Sequence, residues 1–592
     1  MVSGYHWVLK VPKREWVLEL QREGGFPELL ATLLVNRGLT DGRSAHTFLY
    51  PRLSDFGDPF LIPDMAAAVR LITEALVSGK KLGIYGDYDA DGITGTAVLY
   101  LFLKELGARV EVLFPHRERD GYGFHAHLLP FFKEKGVELV ITVDCGISAR
   151  EAVEEAKRLG LKVIITDHHE LPSELPRAEA VITGKRTPKD SPFYELSGVG
   201  TAFALIRALR SYLFEQGFFG GRGIPNLKRY LDLVALGTVA DMVPLVGENR
   251  LIAVFGLAEL SCSERPAIKA LSEVSGTKGT IGTQEVLFRL APRINAAGRL
   301  REARLAFELL VSEEEEKARN LARELNALNS ERQRIEERVL NEVLEMIKEE
   351  VPPALVFYKE DWPLGVIGIV AGRIAEKLYR PVVLLTRKNN RLKGSGRSIP
   401  EVNLFKAFER CRETLLGFGG HPAAGGLTLS PEALPLFEKL FREAVRLELE
   451  EGFGKGAMEE LKPKLLLEAR TEIPELLDPD FLEGFQRLAP FGPGNPEPTL
   501  LISDFEVRNP RLVAEKHLRF TLWQKGTALS AVFFQAPSEK LELFLHSPSL
   551  PPFLLAATPY LSDFGGERYL ELKVLDLQPP GGDSHEGKSL HF

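Results

Sequence analysis

Residues 81–92 read KLGIYGDYDADG: a short β-branched and apolar run, a glycine, then aspartates at 87, 89 and 91 in alternation before Gly92. The apolar run has the length and composition of a buried strand, and the Asp-rich segment leaves its carboxyl end. The same grammar recurs downstream. ARVEVLF (108–114), ELVITV (138–143) and KVIIT (162–166) are strand-like, and ISAREAVEEAKRLG (147–160) is an amphipathic helix between two of them. Alternating strands and helices predict βαβ units and a doubly wound parallel sheet, so the fold class is α/β.

In open α/β sheets ligands bind outside the carboxyl ends of the strands. That is where this chain places its acids and imidazoles: Asp87, Asp89 and Asp91 after the first run, Asp144 after the third, and Asp167, His168 and His169 after the fourth. Carboxylates this dense repel one another unless a cation holds them. With His168, and with Asp241 added, the mixed oxygen and imidazole set suits Mn²⁺ or Mg²⁺, imidazole favouring Mn²⁺. Taken singly, an Asp-rich turn is commonly a solvated loop and a His pair a surface feature. Their joint placement after predicted buried strands separates this set from that ordinary reading.

The segments GDYDADG (86–92), VDCGIS (143–148), TDHHE (166–170) and LGTVADMVPL (236–245) resemble the four successive motifs of the DHH phosphoesterase family, in the family's order. LAPRINAAGRL (290–300) and GFGGHPAAGG (417–426) resemble the RecJ branch of that family, the latter matching the glycine-histidine signature of a DHHA1 domain. RLAPFGPGNPEPTLL (487–501) is similar to the loop that opens the OB-like domain of that branch. The resemblance covers roughly residues 30–578. It departs from the common pattern at VITGKR (181–186), HPAAGG (421–426) and GRLREA (298–303), none of which removes an expected ligand.

Carried over motif by motif, the resemblance implies that Asp89, Asp91, Asp144, His168 and Asp241 are metal ligands, with Asp144 bridging two ions and Asp87 a further candidate. His169 falls beside the metals or on the phosphate side, and Asp167 orients the histidines. The implied activity is 5′ to 3′ degradation of single-stranded DNA to mononucleotides by two-metal phosphodiester hydrolysis, in recombination and repair. Candidate DNA contacts are Arg117 and His125 in PHRERDGYGFH, Arg293 and Arg299 in PRINAAGR, Ser395 and Arg397 in SGRS, and Gly420 and His421 in GFGGH. Single-stranded DNA is the implied substrate. A single-stranded-DNA-binding protein and a RecQ-type helicase are partners by resemblance only, and a monomer is expected.

The remaining sequence predicts several modules, as 592 residues exceed one hydrophobic core. An N-terminal helical segment (1–60) is expected to pack on a DHH domain (61–311). A connector helix (312–351) follows, with Ser312 and Glu315 forming a capping box, Leu321, Leu325, Leu328, Ile335 and Val339 forming a stripe, and Pro352 and Pro353 ending it. A core helix of one larger domain is the alternative for that stretch. A DHHA1-like α/β domain (352–455) comes next, and if it faces the metals across a cleft, the connector fixes a width admitting one strand. Residues 460–578 carry strand patterns from LLLEAR to YLELKVLDL and predict a small barrel or sandwich, an OB fold by resemblance. Phe520, Trp523, Phe533 and Phe534 there, with Lys516, His517 and Arg519, are compatible with base stacking. Residues 579–592 read as a disordered tail.

Bulk composition constrains less. Hydrophobic residues at 44% and charged residues at 26% describe an ordinary globular chain. A net charge of −8 means that DNA affinity must come from a local basic groove. Three dispersed cysteines (Cys145, Cys262, Cys411), no bilayer-length apolar run and no apolar signal core in MVSGYHWVLKVPKREW predict a cytoplasmic protein without a disulfide framework. The rival readings are a small-substrate DHH phosphatase or oligoribonuclease, a non-catalytic DHH scaffold of a replication complex, and an inorganic pyrophosphatase.

Overall fold

The computed structural model describes residues 4–221, 223–347, 351–454, 461–546, 552–564 and 567–579. The chain divides into two compact units: Leu53–Glu460, and a second made of Met1–Arg52 with Leu461–Phe592. The expected tail at 579–592 lies, beyond its first residue, outside the described residues.

In the larger unit, five parallel strands form one sheet in the spatial order Arg109–Leu113, Lys81–Gly86, Val137–Val143, Lys162–Thr166, Ala180–Ile182. Numbered along the chain this is 2-1-3-4-5, a doubly wound order whose switch point lies between Lys81–Gly86 and Val137–Val143. The three inner strands are apolar and buried over most of their length because both faces are covered. Ile84, Ile141, Ile164 and Ile182 join one core cluster, and Tyr85, Val140, Ile165 and Val181 join another.

The connector helix spans Glu315–Met346, shorter at both ends than the sequence predicts. Its expected capping box is absent: Glu314 precedes the helix without a side-chain cap bond, and the Ser312 hydroxyl donates to the Glu314 carbonyl. Ala318, Ala322, Leu325 and Leu328 pack into the DHH core, whereas Val339, Leu340 and Val343 pack into the core of the following domain. One apolar stripe therefore serves two cores.

That following domain holds a five-stranded sheet in the order Gly417–Gly420, Ala424–Leu429, Arg391–Arg397, Val382–Lys388, Leu355–Tyr358. The glycine-rich segments are strands here. GFGG pairs antiparallel with Ala424–Leu429, and His421 sits exposed at the turn, its amide donating to the Ala424 carbonyl at 2.8 Å. The segment that carries the candidate DNA contacts Gly420 and His421 is thus a β-hairpin.

In the second unit seven strands form one mixed sheet, with Phe520 and Phe533 in its core, so neither is available for base stacking. Trp523 is half-buried beneath the Arg508 guanidinium, and Phe534 is exposed. Of the N-terminal segment expected on the DHH domain (1–60), Phe56 and Phe60 pack against that core, but the elements before Leu53 do not. Instead the strand His6–Leu9 pairs parallel with Lys464–Leu467, and Leu20, Leu30, Leu33 and Leu34 share a cluster with Ile473, Phe481 and Phe485. The helix Glu28–Val35 is apolar nearly all round and buries six residues, and the C-terminal helix Pro479–Leu488 supplies apolar partners in that cluster.

Candidate metal centre

Each of the three strands at the switch point ends in an aspartate whose amide continues the sheet. Asp87 donates to the Val143 carbonyl at 3.1 Å, Asp144 to Thr166 at 3.0 Å, and Asp167 to Ile182 at 3.1 Å. The last ladder bonds thereby fix three carboxylates side by side. Asp144 takes a left-handed backbone, φ 63°, a conformation in which non-glycine residues are uncommon and Asp is among the few tolerated.

The next residues come from helix ends. Asp89 caps the helix Ala90–Glu105, accepting from the amides of Asp91 (3.0 Å) and Gly92 (3.1 Å). Asp91 accepts from the amides of Gly198 and Val199, each at 2.7 Å, at the start of the helix Gly198–Glu215. Asp241 follows the buried helix Leu231–Ala240 as its C-cap.

Three groups of potential ligand atoms lie within 4.8 Å of one another: Asp87, Asp89 and Asp144; Asp91, His168 and Asp241; and Asp144, His168 and His169. His168 Nε2 is 3.1 Å from Asp144 Oδ1, 3.5 Å from Asp241 Oδ2 and 3.9 Å from Asp91 Oδ2. A separation near 3 Å is about the edge of an octahedron with ~2.1 Å bonds. Asp87 Oδ1 and Asp144 Oδ1 are buried without a hydrogen-bond partner among the described residues. Buried carboxylate oxygens are rarely left unsatisfied, so these fit a divalent cation.

The electrostatics agree. Burial, then the charge of neighbouring aspartates, pushes Asp87, Asp144 and Asp241 well above the usual carboxylate range and Asp91 up to about 7. Burial, with the neighbouring His169 charge, takes His168 down to about 4 and leaves a neutral ring able to ligate. Asp167 behaves oppositely: burial raises it, but the hydrogen bond from His169 and both imidazoles hold it below its ordinary value. It accepts from the amides of Ile147 (2.8 Å), His168 (2.7 Å) and His169 (3.1 Å), and its Oδ1 lies 2.8 Å from His169 Nδ1. Burial lowers His169, yet that bond to Asp167 carries it above its ordinary value.

Of the expected DNA contacts, Arg117, Arg299, Ser395 and Arg397 gather into one cluster. Arg299 is brought down to about 9, by burial first and then by Arg117, Arg332 and Arg397, with Asp89 opposing. Arg117 lies 4.0 Å over the Tyr88 ring, Arg299 donates to the Gly365 carbonyl at 2.9 Å, and Arg397 donates to Ser395 Oγ at 3.1 Å. Arg293 is spent elsewhere, on Asn326 at 2.9 Å and on the Arg289 and Val274 carbonyls. His125 faces the Gly121 carbonyl at 3.3 Å. Gly420 and His421 belong to the exposed hairpin described above.

Sequence reasoning missed four contributors. Gly198 and Val199 hold Asp91, and the SGVG segment before an apolar helix is the helix-start signal that could have revealed them. Tyr122 places its hydroxyl 2.9 Å from His169 Nδ1 and donates to the Asp144 carbonyl at 3.3 Å. Arg332 joins the arginine cluster from the connector helix but is paired with Glu336.

A parallel sheet with carboxylates and imidazoles at its switch point, followed by a second α/β domain, defines a DHH-type phosphoesterase. The DHH family N-terminal domain matches residues 81–238, the DHHA1 domain residues 351–447 and the RecJ OB domain residues 472–576. The chain belongs to the RecJ family. It is 36% identical over 590 residues to the single-stranded-DNA-specific exonuclease RecJ of Dickeya dadantii, covering 96% of this chain and 99% of that one. It is 37% identical over 541 residues to the Bacillus subtilis protein of the same name, covering 90% of this chain and spanning 66% of that relative's length. The crystal structure of RecJ from Thermus thermophilus in complex with Mn²⁺ superposes with a TM-score of 0.80 at 31% identity, covering 98% of this chain and 81% of that one.

Proposed function

We infer that this chain is a metal-dependent exonuclease that degrades single-stranded DNA from its 5′ end to mononucleotides, in DNA recombination and repair. The observation that carries the reading is the pair of unsatisfied buried oxygens, Asp87 Oδ1 and Asp144 Oδ1, beside an arginine cluster. Asp91, His168 and Asp241 would hold one cation and Asp87 and Asp89 the other, with Asp144 within reach of both groups. Two Mn²⁺ or Mg²⁺ ions, when bound, supply activation of water and stabilisation of the charge developing on the phosphate.

The protein's own groups do the rest. Asp167 fixes the backbone of both histidines and the His169 imidazole, and the amides of Gly198 and Val199 fix Asp91. Arg117 and Arg299 from the DHH side, with Ser395 and Arg397 from the DHHA1 side, grip the 5′-terminal phosphate one nucleotide from the bond that is cut. Cleavage of the P–O3′ bond leaves a new 5′-phosphate on the shortened strand, which regenerates the group those arginines hold. The Glu315–Met346 helix, sharing a core with each domain, sets their separation to one strand.

The free thiols of Cys145, Cys262 and Cys411 support a reducing, cytoplasmic setting, and among the described residues no helix is long and apolar enough to cross a membrane. A monomer acting with a single-stranded-DNA-binding protein and a RecQ-type helicase completes the reading; the family resemblance supports those partners. Single-stranded DNA labelled at either end, incubated with Mn²⁺, with EDTA and with Asp144→Ala, tests it. Mn²⁺-dependent mononucleotides appearing from the 5′ end are expected. Cleavage confined to dinucleotides or bisphosphates, or binding without turnover, would overturn it.

A further inference from the structure

The hairpin that supplies Ser395 and Arg397 carries further cations. Its strands Val382–Lys388 and Arg391–Arg397 pair with Lys388 opposite Arg391, leaving Asn389 and Asn390 as a two-residue turn. Both have positive φ, 48° and 59°, the backbone whose twist matches the flanking strands and which asparagine tolerates. The tip is therefore well defined. Side chains alternate along a strand, so Arg391, Lys393, Ser395 and Arg397 share one face while Leu392, Gly394 and Gly396 are buried on the other. Residues two apart stand about 6.7 Å from one another, a step comparable with the contour of one nucleotide.

Past Ser395 this row enters a cavity of about 700 Å³ whose opposite wall is the segment His116–Arg119, the one that carries Arg117. Lys388 Nζ meets Glu118 Oε2 at 2.8 Å, and Arg119 is held by Asp120 at 3.0 Å, so those charges are paired. Arg391 and Lys393 have neither an ion pair nor a side-chain hydrogen bond among the described residues. Cations at a hairpin tip are ordinarily just solvated. These two differ in continuing the Ser395 and Arg397 row and in facing a cavity of ligand size.

We propose that Lys393 and Arg391 form a subsite for a second phosphate group, lying beyond the one held by Ser395 and Arg397 on the 5′ side of the strand. The proposal rests on the reading that Ser395 and Arg397 hold the 5′-terminal phosphate. Two sources share this chemistry: the outer phosphates of a 5′-triphosphate end, or the backbone of a nucleotide threaded past the terminal position. In the first case water adds to the phosphorus of the second nucleotide and the P–O3′ bond breaks. The first nucleotide then leaves as a nucleoside triphosphate, with its 3′ oxygen protonated.

Oligodeoxynucleotides ending in 5′-hydroxyl, 5′-monophosphate or 5′-triphosphate are compared on the full chain, by fluorescence anisotropy in EDTA and by first-product analysis in Mn²⁺. The expected result is about tenfold tighter binding of the triphosphate than the monophosphate, with release of a nucleoside triphosphate, two charge-assisted contacts being at stake. The double variant Arg391→Gln/Lys393→Gln loses that increment and keeps its monophosphate affinity and turnover. If the occupant is a nucleotide, early dinucleotide products appear in the wild type and disappear in the variant. Equal binding of triphosphate and monophosphate ends by the wild type, with mononucleotides only, overturns the proposal, whereas equal binding of hydroxyl and monophosphate ends overturns the Ser395 and Arg397 reading on which it rests. If the monophosphate strand is not degraded at all, it is the nuclease reading that fails, and the anisotropy comparison still decides the subsite.

Discussion

A Cβ on Gly198 would stand 2.7 Å from Oδ1 of Asp144, closer than real Cβ atoms come to any neighbour. The same residue's amide holds Asp91 at 2.7 Å, so one position sets both the approach and the orientation of two proposed ligands. Gly198→Ala is therefore expected to leave the fold intact while displacing Asp144. Overpacking typically costs about 1–3 kcal/mol, and disturbing the support of a metal ligand costs about 10–100-fold in metal affinity or activity. Circular dichroism with an Mn²⁺ titration checks both. Unchanged Mn²⁺ affinity would show that the helix start gives way without moving Asp144.

Asp144→Ala separates a ligand from a merely structural aspartate. Without metal, Asp144 is a buried carboxylate crowded by Asp91, Asp89, Asp241 and Asp87, so its removal relieves repulsion and the variant's Tm in EDTA should equal or exceed the wild type's. With saturating Mn²⁺ the order reverses. The wild type gains about 2.7 kcal/mol at a hundredfold excess over Kd, whereas the variant gains little and loses at least about a hundredfold in activity. A lower Tm in EDTA together with retained turnover would contradict the assignment.

These sites were legible because the strands were. KLGIYG, ELVITV and KVIIT are continuous apolar runs, each followed at once by an aspartate, and the sheet ladder turns that one-dimensional adjacency into lateral adjacency of Asp87, Asp144 and Asp167. What escaped were contacts made across the chain. SGVG announces a helix start with free amides, but nothing local in it names Asp91, 107 residues away, as their partner. Arg293 has the composition of a phosphate contact, but its partner Asn326 lies on the next long helix, 33 residues on. GFGG reads as a loop until its pairing with Ala424–Leu429 is known, since glycine weakens strands and seldom announces them. The N-terminal helices were misplaced because an apolar helix declares that it is buried without declaring against what.

The pH dependence follows from the same crowding. Asp91 sits at about 7 in the fold against an ordinary 3.8, and Asp87, Asp144 and Asp241 are also raised. A raised carboxyl binds more protons folded than unfolded, so its stabilisation is full below pH 3.8 and is lost as pH climbs through the folded value. His168, at about 4 against 6.5, acts in the opposite sense between those values, and four carboxyls outweigh one imidazole. Metal-free protein is therefore expected to lose Tm between about pH 4 and 7, while apparent Mn²⁺ affinity rises over the same range as bound protons are released. Thermal scans in EDTA and isothermal titration in buffers of different ionisation enthalpy measure the two trends. A metal-free Tm that climbs steadily to pH 7, or binding without proton release, would count against the buried carboxylate set.

Arg293 and Arg397 sat side by side as candidate DNA contacts in the sequence and part company in the structure. Among the described residues the Arg397 guanidinium reaches only Ser395 Oγ and the Gly396 carbonyl, beside a cluster whose like charges favour an anion. Arg397→Ala should raise KM on 5′-phosphorylated strands, reduce the salt slope of binding by about one and leave Tm nearly unchanged. Arg293 ties the Ala291–Leu300 helix to Asn326 on the connector helix and to two backbone carbonyls. Arg293→Ala should lower stability by about 1–2 kcal/mol, the scale of a broken part-buried hydrogen-bond set, with KM and salt slope preserved. Measuring salt-dependent affinity and denaturant midpoint for both variants decides the matter. A steeper loss of DNA affinity in Arg293→Ala than in Arg397→Ala would restore Arg293 to the DNA path and remove Arg397 from it.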